Sequence, residues 1–241
     1  MTNRIAVGEG RRWTLRRTRL GAVAVVAATV AVAAASTSLR AQADAQADVS
    51  CVPAAERAGR AFGCFITARE ELGRLPDRPA LYWHLDTYAT RAAAEGARGP
   101  RSTVVESLGR IWLFTIASED WRAREAAHVA RVGPLPVVAA DSVAAVYMEG
   151  VFAPGMHSMV HRHPGVEAFF TLEGAMCVET PTGTLEQRAG GPGVLVPGGV
   201  PMQLTGTGTG TRRSVVLILQ DATKPRSTVA TDWTPGHRCR P

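Results

Sequence analysis

Two patterns of apolar residues divide the chain near Pro136. Beyond it, short apolar or alternating runs recur at residues 143–152, 157–163, 167–172, 175–179, 193–196, 202–205 and 214–219. Each has the length of a strand, and residues two apart on a strand share a face. Turn formers separate the runs, among them Pro154-Gly155, Glu173-Gly174, Pro181-Thr182-Gly183 and Pro197-Gly198-Gly199. Many short strands with this punctuation predict a β-sandwich or barrel. The Gly-Thr repeat at 206–211 lacks the lysine and following helix of a phosphate loop and reads as a turn.

Before Pro136 the signals are mixed. Residues 54–72 are rich in Ala, Glu and Arg and read as partly helical, with Gly59 and Gly63 as interruptions. Tyr82 to Tyr88 alternates aromatic and β-branched residues and predicts a strand. Thr90 is placed to cap a short helix running to Arg98, stopped by Gly99-Pro100. Residues 102–106 and 110–116 read as two strands around Leu108-Gly109. Ser118, followed by Glu119 and Asp120, opens a second expected helix ending near Gly133. The strands of 80–117 are expected to extend the sheets of the following barrel, since no internal repeat is visible.

The start of the chain is read separately. Arg11, Arg12, Arg16, Arg17 and Arg19 precede an Ala/Val run from Leu20 to Ala35, and small-residue cleavage sites follow at Ala33-Ala34-Ala35 and Ala41-Gln42-Ala43. That is a secretory signal in form. An uncleaved anchor and twin-arginine export are the alternatives, although Arg19 stands where a twin-arginine signal wants an apolar residue. The expected organisation is a signal peptide over 1–43, a mixed α/β extension packing on the barrel over 44–136, a barrel over 137–225 and a tail over 226–241. The expected location is exported, periplasmic or secreted, with no membrane contact once the signal is cleaved.

Setting the leader aside changes the charge. The whole chain carries a net +6, but seven of its 27 basic and one of its 21 acidic residues lie in residues 1–43. The remainder holds 20 of each, so no basic face for nucleic acid is implied. Four cysteines, at 51, 64, 177 and 239, form no C-x-x-C, which disfavours a zinc ribbon or a thioredoxin-type site. In an exported chain, disulfides are expected. Three pairings are open; Cys239 with Cys51 or Cys64 is preferred because it would pin both ends, leaving Cys177 as a buried free thiol.

The candidate chemistry is concentrated in GMHSMVHRHPGVEAFFTLEG, residues 155–174, which places Gly155, His161, His163, Glu167 and Gly174 at the spacing G-x5-H-x-H-x3-E-x6-G. On a strand His161 and His163 point the same way, and Glu167 returns to that face after the Pro164-Gly165 bend. Two imidazoles and a carboxylate suit one divalent metal ion such as iron, manganese, zinc, nickel or copper. The bland alternative is a buried hydrogen-bond network that holds no metal.

This spacing resembles the first motif of the cupin superfamily at every defining position. The second cupin motif, G-x5-P-x-G-x2-H-x3-N, is matched at Gly191, Pro197 and Gly199, with Met202 in place of the histidine and Gly206 in place of the asparagine. The resemblance spans about residues 140 to 222. It implies a mainly β fold, a cupin-type jelly-roll β-barrel with the metal inside and the α/β extension attached. It also implies a small-molecule ligand, and a homodimer joined through sheet edges. Met202 is then a fourth ligand for copper, a vacancy for a harder metal, or a packing residue of the pocket wall. Phe169 shares the face of Glu167 and is a candidate pocket wall or substrate contact. His157 shares the parity of His161 but would lie about 13 Å away on an extended strand, as a substrate contact at the mouth or a solvent-edge residue. His84 and Asp86 offer a second polar pair, for which a structural role is the simpler reading. No G-x-S-x-G elbow supports serine catalysis.

Two functions remain open from the sequence. One is an exported metal-dependent enzyme of oxygenase or isomerase type acting on a small molecule. The other is a non-catalytic small-ligand or metal-binding protein with a degenerate site.

Overall fold

A computed structural model describes residues 51–137 and 139–240. The expected signal peptide lies outside the described residues. The strands are β1 (Val52–Pro53), β2 (Gly63–Gly73), β3 (Tyr82–Tyr88), β4 (Ser102–Ser107), β5 (Arg110–Ala117), β6 (Ala127–Val132), β7 (Val143–Phe152) and β8 (His161–Arg162). They continue with β9 (Val166–Glu173), β10 (Ala175–Thr180), β11 (Gly183–Arg188), β12 (Val194–Val196), β13 (Gln203–Thr207), β14 (Arg212–Asp221) and β15 (Thr228–Val229). One short helix, α1 (Arg91–Gly96), interrupts them, and Thr90 caps it by accepting a hydrogen bond from the Ala93 amide at 3.2 Å.

The central sheet runs β1-β2-β7-β14-β9-β12, and a second sheet, β11-β10-β13, faces it to close a jelly-roll β-barrel. The small β15-β8 pair lies beside the candidate ligands. Side-chain alternation explains why β7 is buried at all ten positions. Val146, Met148 and Phe152 point into the barrel, where they meet Phe169 and Val216 from β9 and β14 and Met176 from β10. Val143, Ala145 and Tyr147 point outward, yet they are covered as well. Their cover is a third layer, the sheet β4-β5-β3-β6, which packs Trp83, Trp112 and Phe114 against them. The Phe114 and Tyr147 rings stack across this junction at 5.0 Å.

Several expectations are corrected here. The strands of 80–117 do not extend the barrel's sheets; they form a separate sheet whose apolar face covers the central one. Residues 54–72 hold only a 3-10 turn at Ala54–Glu56 before β2 begins. Helix propensity there is overridden because β2 completes the pairing of β7, from Gly63 opposite Val151 to Gly73 opposite Val143. The helix expected from Ser118 to Gly133 is a turn-rich segment followed by β6, which pairs with β3. The polar strand β11, missed by its composition, pairs with β10 along its whole length. The run 157–163 is not one strand: His157 forms an isolated bridge with Thr205, and only His161–Arg162 is regular.

The cysteine pairing is corrected too. Cys51 is bonded to Cys64 and Cys177 to Cys239, so Cys177 is not a free thiol. Both pairs suit an oxidising environment. The second bond lies where the C-terminal segment crosses the outer face of β10. On that face the buried Glu179 accepts hydrogen bonds from the amides of Gly236 and Arg238, at 2.6 and 2.9 Å. No helix among the described residues is long and apolar enough to cross a membrane.

Candidate metal centre

His161, His163 and Glu167 converge inside the barrel, their ligand atoms all within 4.8 Å of one another. Backbone geometry explains how residues on either side of a bend come together. After His163 the chain turns at Pro164-Gly165 and enters β9. A side chain at Gly165 would collide with the carbonyl of Leu219 and come within 2.7 Å of the Gln220 Cα on β14. Gly198 packs against the same turn, since its own Cβ would lie 2.9 Å from the Gly165 Cα. The amide of the adjacent Gly199 donates to the His163 carbonyl at 2.8 Å. Gly198 and Gly199 thus hold the bend that positions the candidate ligands.

Each imidazole is held by its other nitrogen. His161 Nδ1 lies 2.8 Å from the Met159 carbonyl, and His163 Nδ1 lies 2.6 Å from the Arg226 carbonyl. A carbonyl only accepts, so both Nδ1 atoms carry the proton and both Nε2 atoms present a lone pair. His163 Nε2 and Glu167 Oε2 are buried without a hydrogen-bond partner; they stand 3.3 Å apart in poor alignment. Converging orphaned donors with backbone-anchored Nδ1 atoms are what a divalent cation requires. The residues therefore fit a metal ion.

The three groups are also coupled by charge. Burial holds the His161 pKa below its ordinary value. For His163 burial works in the same direction, but the Glu167 carboxylate outweighs it and the pKa is raised. Burial would push Glu167 up; His163 first, then His161 and Arg212, hold it below the usual range.

These groups line a cavity of about 470 Å³. Phe169 lines it beside Val216 and Met148, its cross-strand neighbours on β14 and β7. Met202 is 1% exposed and packs in the inner core; it is not among the lining residues. Its backbone pairs with His161 in both directions, at 3.1 and 2.8 Å, so this position supports the ligand strand through its main chain. His157 does not line the cavity either. His84 and Asp86 lie in the outer sheet: His84 Nε2 meets the Ser118 carbonyl at 2.8 Å, and Asp86 meets His128 Nδ1 at 2.8 Å.

Two arginines escaped the sequence reading. Arg212, at the start of β14, is 1% exposed and lines the cavity. Its neighbour Arg213 points outward to Glu173 at 3.3 Å. Strand parity with Val216 and Ile218 was the available signal, because those residues face the barrel interior. Arg226, in the segment read as a tail, contributes both the carbonyl that holds His163 and a guanidinium at the cavity wall.

No protein-family model matches the chain, and no curated protein does. Solved structures similar to it include a cupin superfamily protein from Desulfitobacterium hafniense, 16% identical over 32% of this chain and 68% of that one, with a TM-score of 0.29. A cupin domain from Bordetella pertussis is 22% identical over 32% and 81% of the two chains, with a TM-score of 0.28. The DMSP lyase DddQ from Ruegeria pomeroyi is 20% identical over 36% and 43%, with a TM-score of 0.32. These likenesses concern about a third of the chain, and what the site does must be carried by its own residues.

Proposed function

We propose that this is an exported protein whose barrel holds one divalent metal ion through His161, His163 and Glu167 and presents it to a small molecule in the adjoining cavity. The observation that supports it most directly is the pair of unpartnered buried atoms, His163 Nε2 and Glu167 Oε2, beside imidazoles whose Nδ1 atoms are already committed. Leaving such atoms unsatisfied costs about 1–3 kcal/mol each, and coordination removes that cost.

A bound ion would supply a Lewis-acid centre with positions left for a ligand beyond three protein donors. The protein's own residues do the rest. Arg226 and Met159 orient the imidazoles, and Phe169, Met148 and Val216 form apolar walls around the site. Imidazole and carboxylate suit iron, manganese, zinc, nickel or copper. With open positions the protein is a metal-dependent enzyme; used only to hold its ligand, it is a receptor. Turnover separates the two.

The decisive measurement is metal content by elemental mass spectrometry on protein recovered from the exported fraction, beside a His161→Ala/His163→Ala variant. Near one ion per chain in the parent, lost in the variant, is the expected result. No metal in a correctly folded parent overturns the proposal.

A further inference from the structure

The guanidinium of Arg212 is buried with nothing to neutralise it at contact distance. Among the described residues, no carboxylate lies within ion-pair reach, and its Nε and Nη2 have no hydrogen-bond partner. A guanidinium is the side chain that grips a carboxylate with parallel hydrogen bonds. A buried, unpaired charge is costly, so a chain that keeps one at a cavity wall needs a partner for it.

The surroundings are shaped for this group. Its Cζ sits 5.2 Å from the centre of the Phe152 ring and 5.8 Å from that of Phe169. Gly150 makes the space: a Cβ there would stand 3.0 Å from Nη1. Both aromatic rings, Gly150 and Arg212 line the same cavity as the His161, His163 and Glu167 cluster.

Charge counting points the same way. Two guanidinia, of Arg212 and Arg226, face one carboxylate, Glu167, among the lining residues. The cavity is therefore cationic before any metal binds, and a dication makes it more so. We propose that the cavity takes a small organic carboxylate, its anionic group held by Arg212 and its body against Phe152, Phe169 and Val216. A guanidinium set between two aromatic rings suits a monoanion with an organic body. The inference deepens the reading of the cavity as a ligand site and does not depend on which metal fills the cluster.

The test is calorimetric binding of propionate and benzoate, against propionamide and benzamide, to the full exported chain with both disulfides intact. It is run on metal-stripped and on zinc-loaded protein, with zinc stoichiometry measured on the same samples. The expected result is a preference for carboxylate over amide of about tenfold or more even without zinc, lost in Arg212→Gln while zinc uptake is kept. Absence of that preference in the metal-free parent, or its survival in Arg212→Gln, overturns the proposal. Should Arg212→Gln fail to fold, Gly150→Ala decides. It keeps the charge but displaces the guanidinium, so carboxylate affinity drops several-fold, and an unchanged affinity overturns the proposal. Zinc uptake without carboxylate preference removes this inference and leaves the metal centre standing; the reverse result does the opposite.

Discussion

His163 Nδ1 lies 2.6 Å from the carbonyl oxygen of Arg226, a residue 63 positions further along the chain. That bond ties the segment leading into β15 to the metal-ligand cluster and sets which imidazole nitrogen remains free. Arg226 also places its guanidinium at the cavity wall, so one residue orients a ligand and adds to the charge of the site. The consequences for neighbouring positions can be measured.

Met202 stands where a fourth ligand was one expectation, but its side chain packs in the inner core and does not line the cavity. Met202→Leu keeps volume and polarity, so it should cost less than about 1.5 kcal/mol and leave metal stoichiometry unchanged. Met202→Ala should cost about 2–5 kcal/mol by opening a cavity. Loss of metal in a stably folded Met202→Leu protein, read by elemental mass spectrometry, would return the thioether to the coordination sphere.

Gly165 has no room for a side chain against the Leu219 carbonyl and Gln220 of β14. Gly165→Ala must push the His163-to-Glu167 bend away from β14. The expected outcome is a destabilisation of about 1–3 kcal/mol by denaturant titration, accompanied by weaker metal retention than in the parent. A variant as stable as the parent, with its metal kept, would show that the bend adapts.

Glu179 gives a pH dependence away from the metal centre. Burial alone would raise its pKa, but hydrogen bonds from Arg238 and Gly236 outweigh burial and hold it below the usual carboxylate range. A carboxylate depressed in the folded state contributes stability that is present above its unfolded pKa, about 4.3, and lost as pH falls through the folded value. Thermal unfolding of the parent and Glu179→Gln should therefore differ near neutral pH, with the parent more stable, and converge as pH falls below the folded value. A gap that persists unchanged into acid would mean that the C-terminal segment is held by the Cys177–Cys239 bond and packing alone.

The barrel was legible because its strands obey a local rule. In 143–152, 167–172 and 214–219 the runs are short and largely apolar, and pairing partners merely confirm them. Residues 54–72 and 118–133 were misread because their Ala and Arg content favours helix locally, while the open edges of β7 and β3 supplied hydrogen bonds that no local pattern shows. The disulfides were misread for a related reason. Chain-end logic favoured joining the termini, but pairing requires the Cα atoms to be close, and here those distances are 4.5 and 5.6 Å within the actual pairs.

By itself the sequence marked out the candidate ligand triad, since His161, His163 and Glu167 lie within seven residues and a strand–bend–strand path brings them together. It also determined the β-rich class, through the two-residue period and the turn chemistry. Only the tertiary structure decided what surrounds the triad. Arg212 and Arg226 are distant in sequence, Met202 is turned into the core, and the outer sheet covers the barrel's back. Those facts depend on which strand faces which across the barrel, and long-range packing sets that after local preference has set the strands.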